Sequence, residues 1–151
     1  MIILSIDPSS NIMEKSTTGI VLLDNTKLID SFVVPYGARN FINWWKETGQ
    51  HLKFDIAVVE KFIVRYGDSG RDNTVVQTVD AIKQCIPSVV EQSNVGYQSD
   101  IPDSILKKCN LWKFQKTHHQ DLRAASRLAL FYAMRQDIRE VVDEIGDRVY
   151  E

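Results

Sequence analysis

The chain has 151 residues, 44% of them hydrophobic and 25% charged, which suits one globular domain over residues 1–151. No stretch approaches the roughly 20 apolar residues of a membrane helix, and the first residues lack a signal-peptide pattern, so we expect a cytoplasmic protein with no membrane partner. The net charge of −2 leaves a nucleic-acid partner open, because the distribution of charge rather than its sum decides that question.

The first predicted elements are strands. Residues 2–6 are almost continuously apolar and are followed by Asp7 and Pro8, a pattern typical of a strand that is buried on both faces and ended by proline. Residues 19–23 and 28–34 flank a polar turn, which predicts an antiparallel hairpin. The N-terminal part is therefore predicted to form a three-stranded antiparallel meander.

Helices and further strands follow. Residues 39–50 place apolar and tryptophan side chains at helical spacing, and residues 55–60 form a short apolar strand, so a parallel crossover is expected. Residues 73–92 follow helical periodicity, with Pro87 kinking the helix or ending its first part. A weak strand is predicted at residues 94–98.

The clearest predicted helix begins after Thr117, which forms a capping-box pattern with Gln120, and runs to about residue 139. The acid-rich residues 143–151 are interpreted as a solvated tail rather than as a helix extension. Cys85 and Cys109 lack metal-binding spacing and predict reduced thiols. The elements together predict an α/β fold with a central mixed sheet, made of the meander plus parallel strands and flanked by helices.

Acidic residues end two of the predicted strands. Asp7 and Glu60 each follow an apolar run, and the carboxyl ends of parallel strands face the ligand crevice of an open α/β sheet. Asp121 lies in the first turn of the last predicted helix, on the face of its apolar stripe. His118, three residues earlier, shares roughly that face. The sequence therefore offers three carboxylates and a histidine for one site.

This residue set suits phosphodiester hydrolysis, because carboxylate oxygens bind Mg²⁺ and paired ions stabilise the attacking and leaving oxygens. Each residue also has a simpler explanation. Asp7 could start a turn, and Glu60 could be an ordinary exposed acid. Asp121 could serve only the helix dipole, and His118 could be a solvated histidine.

Four motifs carry a family resemblance: residues 3–10 (ILSIDPSS), residues 18–23 (TGIVLL), residues 58–62 (VVEKF), and His118-x-x-Asp121 before two alanines. In order and spacing they resemble the RuvC-type Holliday-junction resolvases, and the resemblance covers most of the chain. It implies an RNase H-like nuclease domain in which Asp7, Glu60, His118 and Asp121 are catalytic and bind Mg²⁺, with Mn²⁺ able to substitute.

The resemblance also implies a homodimer that nicks opposing strands of branched DNA. The chain is shorter than typical cellular members, which suits a phage-encoded relative acting in a bacterial cell or infected host, on Holliday junctions or on flaps or forks. The family's glycine-rich helix is replaced here by residues 79–84 (VDAIKQ). The expected dimer interface is the apolar face of that helix, formed by Val75, Val76, Val79, Ile82 and Ile86, although this face could equally be buried in its own core.

Two basic segments flank the predicted site and are compatible with DNA binding through phosphate contacts and base stacking. The first contains Lys61, Phe62, Arg65, Tyr66 and Arg71. The second contains Lys107, Lys108, Lys113 and Lys116, interleaved with Trp112 and Phe114. The alternative is that the rings belong to the core and the charges to a solvated surface.

Two other function classes compete with a nuclease. An actin-like or sugar-kinase ATPase shares the fold, but such proteins bind nucleotide between two domains, and this sequence has no P-loop or other glycine-rich phosphate signature. No nucleotide cofactor is therefore expected. A non-catalytic DNA-binding or structural protein of the same fold is the third interpretation, and the presence of all three acids argues against it.

Overall fold

A computed structural model describes residues 1–150 as a five-stranded mixed sheet with helices on both faces. The strands are β1 (Ile2–Asp7), β2 (Thr17–Asp24), β3 (Lys27–Pro35), β4 (Ile56–Glu60) and β5 (Val90–Gln92). The helices are α1 (Gly37–Glu47), α2 (Val75–Cys85), α3 (Tyr97–Asp100), α4 (Asp103–Lys108), α5 (His119–Arg135) and α6 (Arg139–Val149), with a 3₁₀ turn at Gly49–His51.

The strand order is β3-β2-β1-β4-β5. β1, β2 and β3 pair antiparallel, whereas β1 pairs with β4 and β4 with β5 in parallel. This arrangement confirms the predicted fold class of a meander extended by parallel strands. No helix in residues 1–150 combines the length and apolar character needed to cross a bilayer.

β1 separates two apolar cores because its side chains alternate between the faces of the sheet. Leu4 and Ile6 face α1 and α2, while Ile3 belongs to the core beneath α5. Ser5 lies on the α5 side, where its hydroxyl donates to the carbonyl of Ala125 at 2.6 Å. The carboxyl end of β1 therefore opens towards α5.

Gly19 allows α5 to approach the sheet closely. It pairs with Asp7 across β1 and β2, and a Cβ placed on it would lie 2.7 Å from the backbone carbon and oxygen of Asp121. Real Cβ atoms essentially never come that close to another heavy atom. The absence of a side chain at this position therefore allows the first turn of α5 to pack against the start of β2.

The predicted helix over residues 73–92 and the predicted strand at residues 94–98 are wrong in their bounds. α2 ends at Cys85, ahead of Pro87, and Val90–Gln92 forms the edge strand β5. Tyr97–Asp100 is a single helical turn that follows a left-handed Gly96. Valines have high strand propensity, and here pairing with β4 prevails over their helical spacing.

The last helix also differs from its prediction at both ends. No side chain caps α5, because its N-cap residue is His118 in the left-handed conformation (φ 60°), so the predicted capping box is wrong. A left-handed Asp137 (φ 51°) then separates α5 from α6. The solvated tail is wrong for residues 143–149, because Val141 and Ile145 of α6 are buried in the core beneath α5. Glu151 lies outside the described residues.

The apolar face of α2 is used inside the chain. Val79, Ile82 and Ile86 are buried with the sheet and α1, and the residues that α2 exposes are Gln77, Asp80, Lys83 and Gln84. The alternative of burial in the chain's own core therefore holds for Val79, Ile82 and Ile86, whereas Val75 and Val76 are half-buried and their part in a dimer interface stays a prediction. The homodimer itself stays a prediction.

Replacing Gly19 by alanine tests the close approach of α5. The added methyl group has to displace the backbone of Asp121, so we expect the free energy of unfolding to fall by about 1–3 kcal/mol. Gly146→Ala in α6 is the control, because a Cβ there meets no atom within 4 Å and should stabilise the helix by about 0.5–1 kcal/mol. Urea unfolding measures the free energy of unfolding of both variants. Equal changes in the two variants would contradict the close packing of α5 at Gly19.

Candidate active site

The strand register brings Asp7 and Glu60 together. Ile6 pairs with Val59 in the parallel ladder between β1 and β4, so the next residues, Asp7 and Glu60, lie side by side as the last residues of their strands. Both side chains are half-buried, and they lie close enough for the charge of Glu60 to act on Asp7. The two strand-end acids therefore lie side by side at one edge of the sheet.

Asp121 approaches the pair from the opposite side of Asp7. Its backbone packs on Gly19, and its Oδ2 accepts a hydrogen bond from the hydroxyl of Thr17. Its charge is close enough to act on Asp7. The exposed His118 lines an open cleft of about 360 Å³ together with Asp121 and Thr17. The structure therefore gathers the predicted acids around Asp7 and places His118 beside the outermost of them.

The electrostatics of the pair reflect buried negative charge. Burial raises the pKa of Asp7 well above its usual range, and the charges of Glu60 and then Asp121 raise it further. Burial also raises the pKa of Glu60, which the hydrogen bond with Asp7 partly offsets. Tyr97 lies close enough that burial, followed by the charges of Glu60 and Asp7, raises the pKa of its hydroxyl. Each of these shifts therefore disfavours ionisation at this edge of the sheet.

The protein itself does not neutralise this charge. Within residues 1–150, Asp7, Glu60 and Asp121 form no ion pair with a lysine or an arginine. In that part of the chain, no three His, Cys, Asp or Glu side chains are gathered tightly enough to hold a metal ion as they stand. The donor chemistry nevertheless fits a hard divalent cation, because carboxylate oxygens are its preferred ligands and the buried charge is uncompensated.

Sequence reasoning missed three residues at this edge, namely Thr17, Asn94 and Tyr97. The side-chain amide of Asn94 donates to Glu60 Oε1. Asn94 follows β5 by two residues, and the last residue of β5, Gln92, pairs with Glu60. A correct placement of β5 would therefore have pointed to Asn94, but the sequence pattern predicted its strand four residues too late.

The loop after Glu60 contains the first predicted DNA-binding segment. Lys61, Phe62, Arg65 and Arg71 line a cleft of about 320 Å³ together with Glu60, Asn94 and their neighbours. The guanidinium of Arg71 lies 4.5 Å above the half-buried ring of Phe62. Tyr66 is 91% exposed at the tip of the loop. The predicted cations therefore lie directly beside the acidic pair.

This loop is joined to the loop that follows Asp7. The hydroxyl of Ser10 donates to the carboxylate of Asp72, which also accepts from the hydroxyl and amide of Thr74 at 2.5 and 2.9 Å. The backbone amide of Asn11 donates to the Thr74 hydroxyl at 3.1 Å. The hydrogen bonds from Ser10 and Thr74 lower the pKa of Asp72. We call this group of contacts the Asp72 clamp.

The lysines of the second predicted DNA-binding segment fall into two groups, those that line a surface cleft and those that bind other groups of the protein. Lys107 and Lys113 line a surface cleft with Trp112, and the Lys107 ammonium lies 4.7 Å from the Trp112 ring centre. Lys108 instead donates to the carbonyl of Val149 at 3.0 Å. Lys116 forms an ion pair with Asp30 at 3.2 Å.

The aromatic side chains of the second segment also differ in their burial. Phe114 is buried, and its ring meets that of His119 edge-on at 6.0 Å. The expectation that Phe114 is exposed for stacking on a base is therefore wrong. Trp112 is half-buried, with the guanidinium of Arg123 3.7 Å from its ring centre. The core interpretation thus applies to Phe114, while Trp112 remains at the surface.

The mixed five-stranded sheet and its flanking helices have the architecture of the RNase H-like fold. Two solved structures of Thermus thermophilus RuvC are similar to the chain. The structure in complex with a Holliday junction substrate has a TM-score of 0.69 and 14% sequence identity, covering 92% of this chain and 96% of its own. A second RuvC structure has a TM-score of 0.66 and 12% identity, covering 91% and 97%.

At these identities the likeness establishes the fold, and the chain has the RuvC form of the RNase H-like fold. This confirms the predicted resemblance at the level of the fold. The sequence matches no protein-family model and no curated protein.

Removing one buried charge should stabilise the metal-free protein. Asp7→Asn eliminates the repulsion with Glu60 and Asp121, so we expect a higher melting temperature than wild type in EDTA at pH 8. A raised carboxyl pKa means that the cost of ionisation is present above the folded-state pKa and absent below the unfolded-state value near 3.9. The difference should therefore disappear towards pH 4. A variant less stable than wild type at pH 8 would contradict the assignment of an uncompensated charge.

Proposed function

We propose that the chain is a divalent-metal-dependent endonuclease that hydrolyses phosphodiester bonds in branched DNA. The observation that carries the proposal is the convergence of Asp7, Glu60 and Asp121 at the carboxyl edge of a sheet with the RuvC fold. Two of these acids come from neighbouring strands and the third from a helix packed on Gly19. Such a set of oxygen donors without a protein cation suits phosphoryl chemistry.

In this proposal Asp7, Glu60, His118 and Asp121 hold Mg²⁺, which Mn²⁺ can replace. The bound ion supplies Lewis-acid stabilisation of charge on the phosphate oxygens and activates water. His118 contributes an imidazole nitrogen, either as a ligand or to orient the attacking water. Its exposed position at the start of α5 leaves the ring accessible from solvent.

The cations around the site suit a DNA backbone. Lys61 and Arg65 are exposed directly after Glu60, and Lys107 and Lys113 border a second cleft. We assign phosphate contacts to these four residues first, because Lys108 and Lys116 already have protein partners. Phe62, Tyr66 and Arg71 complete the proposed DNA-binding loop.

The proposed substrate is a Holliday junction, which is the substrate named for the similar Thermus thermophilus structure. Flaps and forks are the alternatives within the same chemistry. A four-way junction presents two equivalent strands, so paired incision calls for two copies of a one-site domain related by symmetry. The ATPase interpretation is not favoured by the similarity to RuvC structures.

A cleavage panel with matched variants tests the nuclease. We expect the protein to nick a synthetic four-way junction with Mg²⁺ or Mn²⁺ and not with EDTA, and to leave linear duplex intact. Glu60→Gln should abolish cleavage while the fold and DNA binding persist, because the substitution removes a charged ligand but keeps the shape of the side chain. Glu47→Gln is the control, since Glu47 is exposed in α1 on the opposite face of the sheet.

Equal activity of Glu60→Gln and wild type would refute the assignment of the site. Cleavage of flaps or forks but not of the four-way junction would keep the nuclease and change its substrate. ATP hydrolysis without DNA cleavage would favour the kinase-like class, and neither activity would favour a non-catalytic protein.

The two neighbouring histidines provide a second comparison. His118→Ala should lower the cleavage rate about 10- to 100-fold, the usual cost of removing a group that tunes a metal site. His119→Ala should change the rate less, because His119 lines the same cleft but its ring is held edge-on against Phe114. Since alanine is strained at the left-handed φ of His118, circular dichroism has to show that the variant is folded. Equal, small effects would return His118 to the role of a surface residue.

The salt dependence of DNA binding tests the assigned lysines. The double variant Lys107→Ala/Lys113→Ala should reduce the slope of log affinity against log salt by about two units, one for each phosphate that is no longer neutralised. Lys46→Ala/Lys53→Ala is the charge-matched control, since these exposed lysines lie outside both clefts. Fluorescence anisotropy in Ca²⁺ or EDTA measures binding without cleavage. Identical slopes for the two double variants would exclude the Trp112 cleft as a DNA contact.

A further inference from the structure

The two outer carboxylates of the site are each held by a neutral side chain. The hydroxyl of Thr17 donates to Asp121 Oδ2, and the side-chain amide of Asn94 donates to Glu60 Oε1. Apart from the contact between Asp7 and Glu60, these are the hydrogen bonds that side chains in residues 1–150 make to the two outer acids. One oxygen of each outer carboxylate is therefore held by a hydroxyl or an amide.

We propose that Thr17 and Asn94 are positioning residues that orient Asp121 and Glu60 for the divalent ion. The inference rests on the proposed metal-dependent nuclease and deepens it. Holding one oxygen of a carboxylate restricts rotation of the group and presents its second oxygen in a defined direction. Hydrogen bonds of this kind to metal ligands commonly tune metal affinity.

The strand geometry places both donors where this role requires. Thr17 precedes Gly19 by two residues on β2, so the two residues share the face of the sheet that meets α5. Asn94 follows Gln92 by two residues, and Gln92 pairs with Glu60 across β4 and β5. One donor thus lies in β2 and the other in the loop directly after β5, and these two strands flank the acid-bearing strands β1 and β4 on either side.

Both donors are uncharged, and this favours a role in metal binding. A lysine or arginine in either position would orient the carboxylate but would also neutralise it, and so compete with a metal cation. A hydroxyl and an amide orient the carboxylates while leaving their negative charge in place. The pattern fits residues that prepare a cation site better than residues that only stabilise the fold.

Metal binding by the DNA-free protein tests the proposal. Thr17→Val removes the hydroxyl at nearly constant size, and Thr17→Ser restores it; Asn94→Ala removes the amide. Thr26→Val is the matched control, because the Thr26 hydroxyl also donates to a carboxylate, that of Glu144 at 2.5 Å, but between the β2–β3 turn and α6. Asn40→Ala is the second control, since its amide donates to the Tyr36 carbonyl at 2.7 Å at the start of α1.

Isothermal titration with Mn²⁺ should show about 10- to 100-fold weaker binding for Thr17→Val and Asn94→Ala, and near wild-type binding for Thr17→Ser. The Mg²⁺ concentration for half-maximal junction cleavage should rise by a similar factor. The two controls should keep wild-type metal affinity even where their melting temperatures fall.

Wild-type metal affinity in the folded Thr17→Val and Asn94→Ala proteins would overturn the inference and leave the nuclease standing. A lower melting temperature with unchanged metal affinity would overturn it as well, because the two hydrogen bonds would then be purely structural. A wild-type protein that neither binds Mn²⁺ nor cleaves a junction would instead overturn the proposed function, and this inference with it.

Discussion

The close approach of α5 to β2 at Gly19 is the constraint on which the rest of the site depends. Because this position has no side chain, the backbone of Asp121 reaches the end of the sheet, and its carboxylate comes within electrostatic range of Asp7. A larger residue would lift the first turn of α5 and separate the third acid from the other two. The absence of a side chain at Gly19 therefore determines which charged groups can meet.

The two faces of the sheet differ in the polarity of the side chains that they bury. The face under α1 and α2 is a hydrocarbon core, whereas the face under α5 ends in half-buried carboxylates that repel one another. Globular proteins are stable by only about 5–15 kcal/mol, so such repulsion has to be offset elsewhere. Here the offset comes from two apolar cores and from α6, whose packing extends the core beneath α5.

Local patterns in the sequence predicted the meander, β4 and the positions of Asp7, Glu60 and Asp121, because apolar runs and helical spacing are local signals. They failed for β5, since Val89 and Val90 fit a helical period by coincidence and the strand is defined by its partner β4. Asn94 was hidden by the same error. The partners of Lys108 and Lys116 are distant in sequence, so no local pattern could have revealed them.

The Asp72 clamp makes one unit of the loops that follow Asp7 and Glu60. Ser10 and Asn11 come from the first loop, while Asp72 and Thr74 come from the end of the second. Exchanging either loop alone with that of a relative would therefore break hydrogen bonds on both sides of the site. A chimera that exchanges this part of the molecule has to transplant both loops together, and over evolutionary time the two segments should change as a linked pair.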